Sequence, residues 1–167
     1  MPELTPLERL QPALLDRLSD DAPDKTQEPR EARVITRQKL RAAVLRDLNW
    51  LFNATRPSEG IDWDVAPHAE RSVLNYGLPA LSGETASTLD VAGLELRIRR
   101  AIIDFEPRID ASSLRVEAVV NQIALDHHNQ IQIEIHGNLW AQPVPIELLL
   151  RTEIDLETGQ VHVQDLS

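Results

Sequence analysis

The chain contains no cysteine. That removes disulfide frameworks, zinc–thiolate sites and thiol nucleophiles together. At 167 residues it can bury a core without such staples. Aromatic side chains make up only 4 % of the sequence, too few to line a sugar-cleaving cleft. Lysine is nearly missing as well: Lys25 and Lys39 stand against fifteen arginines. GC-rich coding would produce that ratio, and so would a chain that uses planar, bidentate arginine contacts at interfaces. Long apolar runs are absent, since no stretch approaches the roughly 18 residues that cross a bilayer. The opening MPELTPLERLQPALLDRL places acids and prolines where a signal peptide needs a basic patch and an apolar run, so the expected compartment is a reducing cytoplasm. A net charge of −10 argues against a nucleic-acid partner, which asks for a clustered basic face.

Catalytic signatures are equally scarce. The six glycines are isolated and form neither GxGxxG nor GxxxxGK, so no phosphate-cradling loop is expected. A GxSxG elbow is absent. His127 and His128 are adjacent, without a further ligand at fixed spacing, and His68, His136 and His162 are scattered; no metal site follows. Asp62 and Asp64 flank Trp63 and could in principle grip a sugar, because glycoside hydrolysis needs only two carboxylates. The same loop is explained by Trp63 closing a core edge while the aspartates stay wet. The expectation is therefore a protein with no catalytic residue, cofactor, metal or small-molecule substrate.

What is present is an uneven distribution of charge and periodicity. Residues 30–47 carry six basic and two acidic side chains, whereas residues 113–167 carry two basic and eight acidic ones. A basic front and an acidic back suggest different partners at the two ends. Residues 4–18 form a short amphipathic helical candidate with Leu14, Leu15 and Leu18 on its apolar side, and residues 19–30 read as a linker. Residues 1–30 are accordingly expected to be a docking segment with its tether, and 31–167 a single domain. A helix is expected over 31–53, with Leu40, Val44, Leu48 and Leu51 on one stripe and Arg33, Arg37 and Arg41 on another face. That second face is either solvated or turned to an acidic partner. A short helix starting at Pro67 and a second long one over 89–104 follow. Pro107 stops the latter.

Beyond that point the period changes from 3.6 to 2. Leu114–Val120, Ile131–His136 and Ile146–Asp155 alternate apolar and polar residues, and Val161 and Val163 begin a last short strand. The fold expected is α+β: N-terminal helices packed on a C-terminal antiparallel β-meander of three to four strands, one face wet. Glu106-Pro107-Arg108 sits where the second long helix hands over to the sheet. It reads either as a helix stop with an incidental ion pair or as a rigidly presented charged pair that a partner contacts.

Three segments carry a family resemblance. Ser72-Val73-Leu74-Asn75-Tyr76-Gly77-Leu78-Pro79 followed by Leu81-Ser82-Gly83, then Phe105-Glu106-Pro107-Arg108-Ile109, and Leu14-Leu15-Asp16-Arg17-Leu18 are similar, in order and spacing, to motifs of the TssE family of type VI secretion system baseplate subunits. The resemblance implies a homologue of the phage baseplate wedge protein, often labelled lysozyme-like. It implies cytoplasmic assembly at the inner face of the membrane and partners TssF, TssG and TssK in the wedge. It also implies that the chain starts polymerisation of the TssB/TssC sheath by strand addition. Glu106, Pro107 and Arg108, the arginines Arg33, Arg37 and Arg41, the leucines Leu14, Leu15 and Leu18, and the acidic outer-face residues Glu147, Glu153 and Asp155 are the interaction residues that follow from this reading. The alternative is a peptidoglycan hydrolase, motivated by the family label and the surplus of carboxylates.

Overall fold

The computed structural model describes residues 13–19, 23–24, 35–57, 61–80, 90–119, 130–141 and 144–166. Arg33, the LSG end of the middle motif and the 126–129 connection lie outside them. A one-turn helix, α1 (Leu14–Leu18), precedes α2 (Arg37–Asn53). Helix α2 starts at Thr36, whose hydroxyl accepts the Lys39 N–H at 3.2 Å, satisfying one of the otherwise unpaired first-turn donors. Leu40, Val44, Leu48 and Leu51 face inward as their spacing requires, each at most 4 % exposed.

The stretch expected to hold one short helix contains three short turns. They are a 3₁₀ turn at Trp63–Val65, α3 (Pro67–Glu70) and a second 3₁₀ turn at Val73–Asn75. This is where the SVLNYG sequence is used. Ser72 Oγ accepts the Leu74 N–H at 3.2 Å, Asn75 Nδ2 donates to Glu70 C=O at 2.8 Å, and Tyr76 stacks edge-on against Phe105 at 5.2 Å. Gly77 has φ +114°, and a Cβ there would meet the Ala54 carbonyl oxygen at 2.2 Å, so only glycine fits. It lets the chain run beside the end of α2, where Leu78 N–H donates to Ala54 C=O and Arg56 N–H to Leu78 C=O, both at 2.9 Å.

Helix α4 (Val91–Phe105) is capped by Asp90, which accepts the Gly93 N–H at 3.0 Å. Leu94, Ile98, Ala101 and Ile102 are its buried stripe. Four strands follow, β1 (Arg115–Val119), β2 (Gln130–Leu139), β3 (Ile146–Asp155) and β4 (Val161–Asp165), in the spatial order β1-β2-β3-β4 and antiparallel throughout. The architecture is thus α+β, helices first and then a four-stranded meander. The β3–β4 turn is held by Asp155 Oδ1, which accepts the N–H groups of Glu157 and Thr158 at 2.8 and 3.0 Å, with Gly159 at φ +73°. Alternation places Ile131, Ile133, Ile135 and Leu139 of β2 and Leu148, Leu150 and Ile154 of β3 in the core. Each such side chain contributes about 1.5–3 kcal/mol of burial. The helices cover this face, α2 lying against β4 and α4 against β1. No helix among the described residues is long and apolar enough to cross a membrane.

Candidate interaction site

The junction between α4 and the sheet is organised around a buried carboxylate. Glu106 closes α4 by donating its N–H to Ile102 C=O at 2.8 Å, and is 3 % exposed. Burying a charge is costly without a partner. Arg108 supplies it: its Nε donates to Glu106 Oε1 at 2.6 Å, its Nη2 reaches Glu106 Oε2, and its own backbone N–H donates to Oε1 at 3.2 Å. Pro107 sets the tight return that allows a fork-on-fork contact across only two residues. Arg108 Nη2 also donates to Asp47 Oδ2 at 2.5 Å. Asp47 Oδ1 in turn accepts from Arg46 Nε at 2.9 Å, with Nη2 at ion-pair distance, and Arg46 Nη1 donates to Asp16 Oδ1 of α1 at 2.5 Å. The Arg46 guanidinium lies 5.1 Å over the Trp50 ring, a cation–π geometry.

Five charged side chains therefore run in alternating sign from α1 through α2 to the end of α4. The electrostatics follow. Burial by itself would lower the Arg108 pKa, but the hydrogen bond and charge of Glu106, reinforced by Asp47, outweigh it and hold the group above its ordinary value. The hydrogen bond from Arg46 holds the Asp16 carboxyl below the usual range, and Asp16 raises Arg46 reciprocally. Tyr76, next to this cluster, is pushed up by burial and by the charges of Asp47 and Glu106.

The segment after Pro107 is tied to the sheet. Trp140 N–H donates to Arg108 C=O at 2.8 Å and Asp110 N–H to Asn138 C=O at 2.9 Å, so Ile109 bridges Leu139. Of the two readings of Glu106-Pro107-Arg108, an incidental surface ion pair is corrected, and a pair presented whole to a partner is corrected for its Glu106 half, which is buried. Glu106 is turned inward, because the helix stop and the strand-like exit leave its side chain only the α2–α4 interface. Pro107 is exposed and Arg108 half-buried.

The other expected residues scatter over the surface. Arg37 is exposed, but Arg41 is bound within the chain, its Nε 2.5 Å from Asp165 Oδ2 of β4 and its Nη2 donating to Glu147 C=O at 3.2 Å. The arginine face of α2 thus holds its own sheet at this point. Leu14, Leu15 and Leu18 are exposed on α1. Glu147, Glu153 and Asp155 lie on the outer face of β3, Glu147 exposed and the other two half-buried.

Sequence reasoning did not find the residues that close the sheet edges. Asn53, at the end of α2, binds both main-chain groups of Val161: Oδ1 accepts its N–H at 3.0 Å and Nδ2 donates to its C=O at 2.8 Å. On the opposite edge Glu95 accepts the Ala118 N–H at 2.7 Å, and Arg99 Nε lies 3.4 Å from Leu114 C=O. Asp47 and Asp16 were also missed. Asp47 left a signal: it falls at i+3 from Val44 and one residue before Leu48, so a lone carboxylate sits beside the apolar stripe.

The described residues thus form a helix layer on an antiparallel meander, joined at a buried Glu106 that is paired with Arg108. Comparison with known families gives the class of protein. The model of the family described as baseplate wedge protein gp25 matches residues 38–144. The chain belongs to this family of structural components of phage-tail-like baseplates, and the resemblance to TssE agrees, because TssE is the gp25 homologue of the type VI system. No curated protein and no solved structure matches the chain significantly.

Proposed function

We propose that this chain is the TssE-type subunit of a type VI secretion baseplate. In this reading it joins the wedge formed by TssF, TssG and TssK, and it starts the TssB/TssC sheath by offering a sheet edge to the first ring. It works as an assembly platform and catalyses nothing; assembly takes place in the cytoplasm, at the inner face of the membrane. The observation that carries the reading is the open meander: among the described residues, the edge strands β1 and β4 are met by side chains and not by another strand. An edge of that kind gains main-chain hydrogen bonds when an extended segment adds to it. The ionic chain from Asp16 to Glu106 gives the platform its rigidity, fixing α1, α2 and the sheet entry to one another. Wedge proteins then meet the exposed Pro107, Arg37 and α1 leucines of that frame and the half-buried Arg108; Arg33, outside the described residues, belongs to the same proposal.

The test is a pull-down of the tagged full-length protein from cells expressing the neighbouring genes, with mass spectrometry of what co-purifies. Recovery of wedge and sheath subunits is the expected result. A lone monomer that clears a peptidoglycan suspension would replace this reading with the hydrolase.

A further inference from the structure

The main-chain groups of the two sheet edges are closed in chemically different ways, although Arg41 also pairs with the Asp165 side chain of β4. Along β4, Asp155 N–H donates to Gln160 C=O and Leu166 N–H to Leu149 C=O, both at 2.9 Å. The antiparallel register then directs the even-numbered residues of β4 to β3 and the main-chain groups of Val161 and Val163 to the edge. At Val161 both groups are taken by the Asn53 carboxamide. A carboxamide carries the same donor and acceptor as a peptide group, so Asn53 stands where one residue of an added strand would stand. On β1 the closure is ionised: the Glu95 carboxylate holds Ala118 N–H, and the Arg99 guanidinium lies near Leu114 C=O. Removing Glu95 would break a charge-assisted bond that no incoming peptide carbonyl matches.

We infer that β4 is the accepting edge, that Asn53 is a displaceable plug on it, and that the plug yields to an extended polypeptide segment bearing basic side chains. The inference rests on the strand-addition reading and adds the edge, the gate and the charge of the partner.

Three further features support it. The exchange is matched atom for atom, since an incoming carbonyl takes Val161 N–H and an incoming N–H takes Val161 C=O. Asn53 also has somewhere to go: it is exposed, and its Nδ2 already lies 2.8 Å from Asn49 C=O. Displacement therefore strands no buried polar group. Finally, two open grooves of about 380 and 400 Å³ flank the plug, both bordered by Asn53 and Gln160. Glu153 and Asp155 border the second groove, and His162 is the only side chain among its described lining residues able to carry positive charge. The N–H groups of Thr158 and Glu157 hold the Asp155 carboxyl below its ordinary range, so it stays ionised. A groove of this sign selects a cationic segment.

The test uses the isotope-labelled full chain, titrated with the acetylated, amidated peptide Val-Lys-Val-Lys-Val-Lys-Val and with its Val-Glu counterpart, followed by amide NMR. The Val-Lys peptide should shift the amides of Val161–Asp165, and Asn53→Ala should bind it about tenfold tighter, because two modest hydrogen bonds no longer compete. Asn53→Asp keeps the acceptor and loses the donor, and should fall between. Circular dichroism checks that each variant folds. Shifts centred on Arg115–Val119, or tightening by Glu95→Gln but not by Asn53→Ala, would move the accepting edge to β1 and overturn the proposal. Equal binding of both peptides, or no binding to any variant, would also overturn it. If wedge and sheath subunits fail to co-purify while the Val-Lys peptide still binds β4, the assembly reading falls and the edge assignment stands. Normal co-purification with the peptide on β1 gives the reverse.

Discussion

Glu106 holds a charge at 3 % exposure, which makes its arginine partner a condition of folding and not an ornament of the surface. Replacing Arg108 with Met leaves that carboxylate buried and uncompensated, and should lower stability by about 3–5 kcal/mol. The double variant Glu106→Gln with Arg108→Met should lose clearly less than the sum of the single changes, since the two groups form one unit. Urea denaturation of the four proteins measures this directly. Additivity would show that the pair is energetically incidental. Arg108→Lys should not rescue, because one ammonium cannot reproduce a fork that reaches both Glu106 oxygens and Asp47. The Glu-Pro-Arg triplet was legible in the sequence as a junction, but its direction was not. Spacing fixes which residues neighbour each other along the chain. It does not reveal that Asp47, 61 positions upstream of Arg108, arrives on the same side to draw both charges inward.

Elements were legible where burial imposes a period. Alternation in 131–135 and 146–154 located β2 and β3 because one-residue slips would turn isoleucines to water, and Pro107 marked the end of α4 by a mechanism local to the sequence; the caps Thr36 and Asp90 were not read. The single short helix expected from Pro67 to about residue 75 is instead α3 followed by a 3₁₀ turn, with another 3₁₀ turn before it, because the order here comes from side-chain bonds such as Asn75 to Glu70 C=O, which leave no periodic trace. How α1 is attached was likewise invisible. Its leucines are exposed, and its tie to α2 is the Asp16–Arg46 pair. The pair is partly exposed, so it should contribute no more than about 1 kcal/mol while still fixing the position of α1. Its pH dependence has a definite sign. The folded Asp16 pKa is depressed, so the contribution is present above the ordinary aspartate value near about 4 and is lost as pH falls below it. Acidification below about pH 4, through the lowered Asp16 pKa, should therefore release α1. The Trp50 indole N–H reports it in NMR, because Arg46 lies over that ring. Asp16→Asn should show the released indole shift already at neutral pH and no further acid transition of its own. An unchanged indole in that variant would mean that α1 is held by something other than this pair.

At the scale of the whole molecule, the helices occupy one face of the sheet and the edges are closed by side chains, so the outer face is what an approaching subunit meets first. That face inherits the acidic bias of residues 113–167, with Glu147 exposed and Glu153 half-buried on β3. Charges placed there act on encounter more than on the finished contact. They steer an oppositely charged segment towards the edge and reject a like-charged one. On the proposed strand addition, reversing Glu147 and Glu153 to lysine should therefore slow capture of the added segment severalfold at low ionic strength. Dissociation should stay nearly unchanged, because the main-chain hydrogen bonds of an added strand are untouched. Salt provides the control: with screening lengths of about 10 Å at 0.1 M and about 3 Å at 1 M, reversed and native proteins should converge as salt rises. Stopped-flow or surface-based association kinetics across that range separate the two contributions. A rate difference that persists at 1 M would mean that these glutamates touch the partner in the bound state, and the outer face would then be part of the interface itself and not only its approach.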